Sequence, residues 1–314
     1  MKVLVPDVPL RREMEPIPPG VELVSEPAPD VEVLILAGEL ADDLPDLFKR
    51  LPGLRLVQAF SAGVDSLLPV IPPGVVLCSA VGVHDMSVAE WVLAAILAMQ
   101  RRLPEFWNLQ RQAEWNRSIA EGGDQSVHPI EDLESKTVVV VGYGSIGRAV
   151  AARLAPFGAR VVGIARHPRG DAHSTEALHA QLPEADVVVD LLPLNPETER
   201  FINGAFFAQM KPGALFVNAG RGKTVDTGAL LDALNSGRIL AALDVTDPEP
   251  LPSDHPLWHA PNVMVTPHIA GAVARWEIRA YRFAGEQIRR YAAREPLLGV
   301  QAGNTTAAHG LANS

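Results

Sequence analysis

Lys136-Thr-Val-Val-Val-Val-Gly-Tyr-Gly-Ser-Ile-Gly-Arg148 is the stretch on which the reading of this chain turns. Val138 to Val141 is an unbroken apolar run, as a strand buried on both faces requires. Gly142, Gly144 and Gly147 follow at G-x-G-x-x-G spacing, and Ala149 to Leu154 reads as a helix laid against the sheet. Each glycine has its own physical reason. Gly142 permits the tight turn, Gly144 lets a pyrophosphate approach the backbone, and Gly147 lets helix and strand pack closely. The N–H groups of Ser145 and Ile146 open the helix and face an anion, where the helix dipole also helps. A second apolar strand follows, Ala159-Arg-Val-Val-Gly-Ile164. A glycine triplet alone also occurs in ordinary turns. Between a strand and a helix, with a second strand beyond, it predicts dinucleotide binding.

The bulk numbers bound the rest. A chain of 314 residues, 47% hydrophobic and 20% charged, is expected to hold one large or two medium globular domains. The net charge is −10 and no Lys/Arg-rich block occurs, so neither nucleic acid nor an anionic membrane is expected as a partner. Cys78 is the single cysteine; it sits in an apolar run and reads as a small core residue. Met1-Lys-Val-Leu-Val-Pro6 reads as a strand rather than a leader. The longest apolar stretch, Trp91 to Met99, falls far short of a membrane span, so a cytoplasmic location is expected. The histidines show no ligand spacing, and no metal is expected.

Taken in order, Val3–Val5, Val21–Val24, Val31–Ala37, Arg55–Phe60 and Val75–Ser79 are short apolar runs separated by Pro and Gly clusters, with a helix-compatible segment at 41–50. This β/α alternation implies a parallel sheet. Residues 85–102 read as a long helix, apolar nearly all round and therefore buried, capped by Asp85 or Ser87. Pro104 to Pro129 changes character, with Trp107, Trp115, Arg111, Arg117 and a polar stretch at 122–125. It reads either as a domain crossing with an arm toward a second subunit, or as a surface loop with buried tryptophans. From Lys136 the alternation restarts. Strands are expected at 137–141, 160–164, 186–191, 214–217, 240–244 and 263–265, and helices at 146–156, 175–182, 203–208, 227–236 and 275–293. The small, polar residues 304–314 read as a loose tail.

The end of the second strand of such a unit bears on cofactor choice. An acidic residue about 20 positions after the glycines normally binds the ribose 2′-OH of NAD. Here that position is Ala165, followed by Arg166-His167-Pro168-Arg169. No carboxylate follows the strand to repel a 2′-phosphate, and two guanidiniums suit one. NADPH is the expected cofactor, with NADH as the alternative; otherwise Arg166 and Arg169 are solvated loop charges.

Several further stretches resemble the D-2-hydroxyacid dehydrogenase family. They are Phe60-Ser-Ala-Gly-Val-Asp65, Val88-Ala-Glu-Trp91, Val141-Gly-Tyr-Gly-Ser-Ile-Gly147 and Asp190-Leu-Leu-Pro-Leu-Asn-Pro-Glu-Thr198. Val217-Asn-Ala-Gly-Arg-Gly222, Ala242-Leu-Asp-Val-Thr-Asp-Pro-Glu-Pro250, Pro256-Leu-Trp258 and Thr266-Pro-His-Ile-Ala-Gly271 continue the series in family order. Leu251-Pro-Ser-Asp-His-Pro-Leu-Trp258 makes the chain look most like the short glyoxylate/hydroxypyruvate reductases. By the same resemblance, the regulatory extension of the long phosphoglycerate dehydrogenases is not expected here.

The resemblance implies a site. Arg221 would hold the carboxylate or keto oxygen of the substrate and polarise its carbonyl. His268 would be the general acid, with Glu249 on its other ring nitrogen to orient it. Backbone N–H groups of Ala62, Gly63 and Val64 would bind the substrate carboxylate from the opposite side. Leu191 and Pro193 would flank the adenosine; Ala219, Asp244, His268 and Gly271 would lie toward the nicotinamide, with Asp244 accepting from its carboxamide. His84 stands where the family often has Asn, and with Met86 and Trp91 it is expected near the substrate mouth.

The resulting expectation is an α/β protein of two doubly wound domains with parallel sheets. A Rossmann-type cofactor domain, residues 104–282, is inserted into a discontinuous flavodoxin-like substrate domain, residues 1–103 and 283–314. The substrate, a small 2-ketoacid or D-2-hydroxyacid, would lie in the cleft between them. By resemblance the chain forms a homodimer. A different class of function, a nucleotide-sensing interaction protein on the same scaffold, is the rival. Formate oxidation is disfavoured, because such enzymes place glutamine where this chain has Glu249.

Overall fold

The computed structural model describes residues 1–37, 43–118 and 130–301. The polar stretch at 122–125, residues 41–42 of the first expected helix and the tail at 304–314 lie outside them. The chain divides into two units, Met1–His84 with Val273–Ser314, and Asp85–Ala272.

The first unit is a five-stranded parallel sheet. Its strands are β1 (Lys2–Leu4), β2 (Glu22–Val24), β3 (Val31–Leu36), β4 (Leu56–Ala59) and β5 (Val76–Cys78), in the order β2-β1-β3-β4-β5. That is the flavodoxin-like order. Alternation along the strands builds a core on each face. Val3, Val33 and Ile35 pack with Ala280, Tyr281, Ala284 and Ile288 of α8 (Trp276–Ala293), whereas Leu4, Leu34 and Leu36 pack with Leu44, Leu47 and Phe48 of α1 (Leu44–Lys49). Gly285 lets α8 close on the 3₁₀ turn at Pro9–Met14: a Cβ there would stand 2.2 Å from the Met14 carbonyl oxygen. Two wholly buried glutamines tie the segment after α8 to this sheet. Gln287 Nε2 donates to Gln58 Oε1 at 2.9 Å, and Gln287 Oε1 accepts Leu298 N at 2.9 Å.

The second unit carries α2 (Asp85–Gln100), α3 (Leu103–Arg111), β6 (Thr137–Val141), α4 (Ser145–Leu154), β7 (Arg160–Ile164), α5 (Leu178–Gln181), β8 (Val187–Asp190), α6 (Gly204–Gln209), β9 (Leu215–Asn218), α7 (Thr227–Asn235), β10 (Leu240–Leu243) and β11 (Val263–Val265). The sheet is parallel, in the order β7-β6-β8-β9-β10-β11, and a single bridge from Ile164 to His173 extends it beyond β7. The order reverses between β6 and β8, which opens a crevice beyond their carboxyl ends. Val138 and Val140 face α2 and α4; Val139 and Val141 face α5, α6 and α7. The fold class expected from the sequence is the one observed.

The division falls elsewhere than at 104 and 283. Val88, Ala89, Val92, Ala95, Ile96 and Met99 of α2 are buried in one cluster with Val138, Val140, Val187 and Val189, so α2 belongs to the second unit. All of α8 belongs to the first unit, its early residues Ala280 and Tyr281 included. Residues 103–111, read as a crossing, form a helix with no buried residue; Trp107 is 67% exposed and Trp115 92% exposed, which removes the reading with buried tryptophans.

Candidate active site

The crevice of the second unit is shaped by its glycines. Gly142 has φ +92°, and a Cβ there would stand 2.6 Å from the Leu191 carbonyl group. A Cβ on Gly144 meets nothing within 4 Å and would project into open space at the start of α4. One on Gly147 would stand 3.2–3.3 Å from Tyr143 and Val140, the close helix–strand approach expected there. Among the described residues, the N–H groups of Ser145 and Ile146 find no acceptor at the open end of α4. The Ser145 hydroxyl donates to Asp85 Oδ1 at 3.1 Å.

A cavity of about 410 Å³ lies beyond these turns. Of the residues expected at the cofactor, Gly142, Gly144, Arg166, His167, Arg169, Leu191 and Pro193 line it. Tyr143, Arg148 and Glu197 line it too and were not expected. Tyr143 has a visible cause, because its ring lies on Gly163 of β7, where any Cβ would come within 2.3 Å of it. Glu197 pairs with Arg166 in a two-pronged contact, Nη1 to Oε2 at 2.8 Å and Nη2 to Oε1 at 3.0 Å. The strand end is free of carboxylates, as the sequence indicates, but folding brings one in from 31 residues downstream. Open amides, the missing Cβ at Gly144 and a mouth with guanidiniums fit a dinucleotide carrying phosphates.

Farther along the same edge of the sheet, the C-terminal ends of β9, β10 and β11 carry the residues with chemistry. Glu249 Oε1 lies 2.6 Å from His268 Nδ1, and the two side chains are 42% and 49% exposed. His268 has φ +54°, a conformation that a non-glycine residue holds only where its surroundings impose it. Asp244 imposes it. Its carbonyl accepts His268 N at 2.7 Å. Its buried carboxylate accepts Thr266 Oγ1 at 2.6 Å and Ile269 N at 2.9 Å on Oδ1, and Ala270 N at 2.8 Å on Oδ2. A carboxylate oxygen accepts two bonds, so Oδ2 alone keeps capacity for a carboxamide. The primary work of Asp244 is to shape the turn that presents His268, a role the sequence did not disclose. Gly271 lies on this turn, where Ala272 N closes onto the Ile269 carbonyl at 2.9 Å.

Arg221 sits between glycines because the chain is crowded there. A Cβ on Gly222 would stand 1.9 Å from the Thr246 carbonyl oxygen, and one on Gly220 would stand 2.9 Å from that of Leu192. Arg221 Nη1 donates to the Gly220 carbonyl at 2.9 Å, while its own carbonyl accepts Asn218 Nδ2 at 3.1 Å. Asn218 O accepts Asp244 N at 2.9 Å, and Asp244 O accepts His268 N. An unbroken hydrogen-bonded path therefore joins Arg221 to His268. Ala219, bonded through its N–H to the Asp190 carbonyl at 3.2 Å, opens this turn.

Ala62, Gly63 and Val64 belong to the first unit, in the turn after β4. Ser61 O accepts Ala80 N at 2.9 Å, and Val64 O accepts Leu67 N at 3.0 Å. The N–H groups of 62, 63 and 64 find no acceptor among the described residues, the condition an anion-binding turn requires. A His84 Nε2 hydrogen bond to Phe60 O, 2.9 Å, braces the start of this turn, whereas Met86 Sδ meets Arg153 of α4 at 2.6 Å. Among the described residues no three His, Cys, Asp or Glu side chains converge as metal ligands, and no helix is long and apolar enough to cross a membrane.

A reversing parallel sheet, a glycine turn with open amides and a His–Glu pair on the same edge define a nicotinamide-dependent dehydrogenase. Comparison with known proteins sharpens the class. Residues 93–270 match the family described as D-isomer specific 2-hydroxyacid dehydrogenase, NAD binding domain. The chain is 37% identical over 265 residues to glyoxylate/hydroxypyruvate reductase B of Escherichia fergusonii, covering 81% of this chain and 79% of that one. Its structure resembles a D-isomer specific 2-hydroxyacid dehydrogenase from Xanthobacter autotrophicus Py2 in complex with NADPH and MES (TM-score 0.80, 31% identity, 98% of each chain). It also resembles an NADPH-dependent glyoxylate/hydroxypyruvate reductase from Sinorhizobium meliloti in complex with NADP and sulfate (TM-score 0.79, 28% identity, 98% of each chain). The chain belongs to the D-isomer specific 2-hydroxyacid dehydrogenase family and is an NAD(P)-dependent oxidoreductase.

Proposed function

We propose that the chain reduces small 2-ketoacids of the glyoxylate or hydroxypyruvate kind to D-2-hydroxyacids, with NADPH as the preferred cofactor. The observation that carries this reading is the 2.6 Å contact between Glu249 and His268, on the same edge of the sheet as the phosphate-binding turn. Gly142, Gly144 and the open amides of Ser145 and Ile146 hold the pyrophosphate; Leu191 and Pro193 flank the adenosine. Arg166 and Arg169 meet the 2′-phosphate. Bound NADPH supplies the hydride.

The chain's own residues do the rest. Glu249 accepts a hydrogen bond from Nδ1–H of His268, which leaves Nε2 to carry the transferable proton. His268 delivers that proton to the carbonyl oxygen of the substrate as charge develops there, and takes it back in the oxidative direction. Arg221 holds the carboxylate and carbonyl with its planar fork of donors, which favours ketoacids over plain aldehydes. In the first unit, the open amides at Ala62–Val64 are donors that suit a carboxylate. The exposed Trp107 and Trp115, on and just after α3, serve as the homodimer contact. The test is a reduction screen of glyoxylate, hydroxypyruvate, pyruvate and bulkier ketoacids with both cofactors. Turnover of the small acids with NADPH supports the reading. Tight NADPH binding without oxidation by any ketoacid makes the chain a sensor instead.

A further inference from the structure

Asp190 ends β8 at the reversal of the sheet, and none of it reaches solvent. A carboxyl group in such a place is costly unless it is uncharged or matched by a cation. No cation matches it: among the described residues no Lys, Arg or His stands within ion-pair distance. Leu192 N donates to Oδ1 at 2.9 Å, and Oδ2 lies 2.5 Å from Thr224 Oγ1. The elements around it bear few charges. β6 ends in valines, and residues 191–193 carry no titratable side chain. The 218–224 stretch carries Arg221 and the exposed Lys223, and Asp244, one strand farther, is held by its own three donors.

Counting hydrogens argues for the state of this group. Thr224 Oγ1 has one hydrogen but two oxygen neighbours, Asp190 Oδ2 at 2.5 Å and the Arg221 carbonyl at 2.6 Å. A carbonyl has no hydrogen to give. One assignment makes both contacts favourable: Thr224 donates to Arg221 O, and Asp190 carries a proton on Oδ2 and donates it to Thr224. With Asp190 ionised, one of the two oxygens would face a lone pair of Thr224 at contact distance.

We propose that Asp190 works as an uncharged carboxylic acid and is a positioning residue, whose proton, passed as a hydrogen bond through Thr224, fixes the carbonyl of Arg221 and hence the placement of its guanidinium. The same side chain pins Leu192 at the lip of the cofactor cavity, so one buried acid registers the two loops against each other. Burial pushes this carboxyl up to about 7, the direction that the hydrogen count requires. When Asp190 gives its proton to solvent, Thr224 turns its hydrogen to the carboxylate. Arg221 O then keeps Asn218 Nδ2 as its side-chain partner. The turn bearing the guanidinium loosens as the medium becomes alkaline.

The consequence for activity rests on the reading of Arg221 as the substrate's partner; the protonation state does not. The test uses the full chain with NADPH bound, and the variants Asp190→Asn, Asp190→Leu and Thr224→Val. Infrared difference spectra of wild type against Asp190→Asn should show a protonated-carboxyl band at pH 6 that fades as pH rises past neutrality. Asparagine can donate to Thr224 and accept from Leu192. Asp190→Asn should therefore keep most of the kcat/KM at pH 6 that Asp190→Leu and Thr224→Val lose, about tenfold each, and its alkaline decline should be shallower. A missing band at pH 6, or an Asp190→Asn variant as impaired as Asp190→Leu, overturns the proposal. An Arg221→Lys variant as active as wild type would instead sink the role of Arg221 and leave the band in place, which separates the two failures.

Discussion

Glu249 Oε1 and His268 Nδ1 are 2.6 Å apart, on a turn whose unusual backbone is set by Asp244 rather than by either partner. Ring orientation is thus built twice, once through the backbone and once through the carboxylate. Glu249→Gln keeps an acceptor on Nδ1 but removes its charge. Charge assistance contributes about 1.5–3 kcal/mol in a dry site, and the near-half exposure of both side chains discounts it. The expected loss in kcat is about tenfold, with the KM for NADPH unchanged, read from initial rates of ketoacid reduction.

Arg166 is engaged by Glu197 at the mouth of the cavity. Both side chains are 65% exposed, and an exposed pair contributes about 0–1 kcal/mol. A 2′-phosphate with up to two negative charges can displace that carboxylate, though at a cost. Glu197→Gln should tighten NADPH about threefold and leave NADH unchanged; Arg166→Ala should erode the proposed NADPH preference. Titration of cofactor fluorescence checks both. Equal tightening of NADPH and NADH in Glu197→Gln would place the effect away from the 2′ position.

Gly142 and Gly144 separate folding from binding. At Gly142 a methyl group meets the Leu191 backbone at 2.6 Å in a conformation with φ +92°, so Gly142→Ala should lose stability and cofactor together. At Gly144 a methyl group meets only open space, so Gly144→Ala should melt within about 0.5 kcal/mol of wild type yet lose NADPH affinity at least tenfold. Thermal melts with and without cofactor distinguish the two. An unimpaired Kd in Gly144→Ala would mean that the phosphates approach elsewhere.

Asp190 also gives stability a pH dependence of known sign. Burial pushes its carboxyl up to about 7 in the fold, from the 3.8 of an ordinary solvated carboxyl. Between those values the unfolded chain has released the proton and the native chain retains it, so the contribution is complete below about pH 4, declines to about pH 7 and stays lost above. At about 1.4 kcal/mol per unit the swing is of order 4 kcal/mol. Urea melts at pH 5 and pH 8 should therefore show wild type losing stability relative to Asp190→Asn as pH rises. A difference independent of pH would contradict a raised ionisation.

Much of the fold is legible in the sequence because buried parallel strands must be continuous apolar runs, and Val138–Val141 and Val187–Val189 are such runs. The phosphate turn is legible because glycine is required at fixed offsets. Where the chain divides is less so: α2 is apolar on all sides, and only its contacts with Val138 and Val140 show which unit owns it. Helix α3 does carry apolar residues at helical spacing, Leu103, Phe106 and Trp107, yet none of its residues is buried, so its stripe does not mark a place in the core. The roles of Glu197, Asp190 with Thr224, and Asp244 depend on pairings across 31, 34 and about 22–26 residues. No local spacing rule reports those.

The most direct measurement is the single-turnover rate of glyoxylate or hydroxypyruvate reduction by His268→Ala, alongside its NADPH dissociation constant. The expected result is a rate lower by about 10²–10⁴-fold, with cofactor affinity within about twofold of wild type. A rate close to wild type would show that the proton comes from elsewhere, and loss of cofactor affinity together with the rate would make His268 a structural residue.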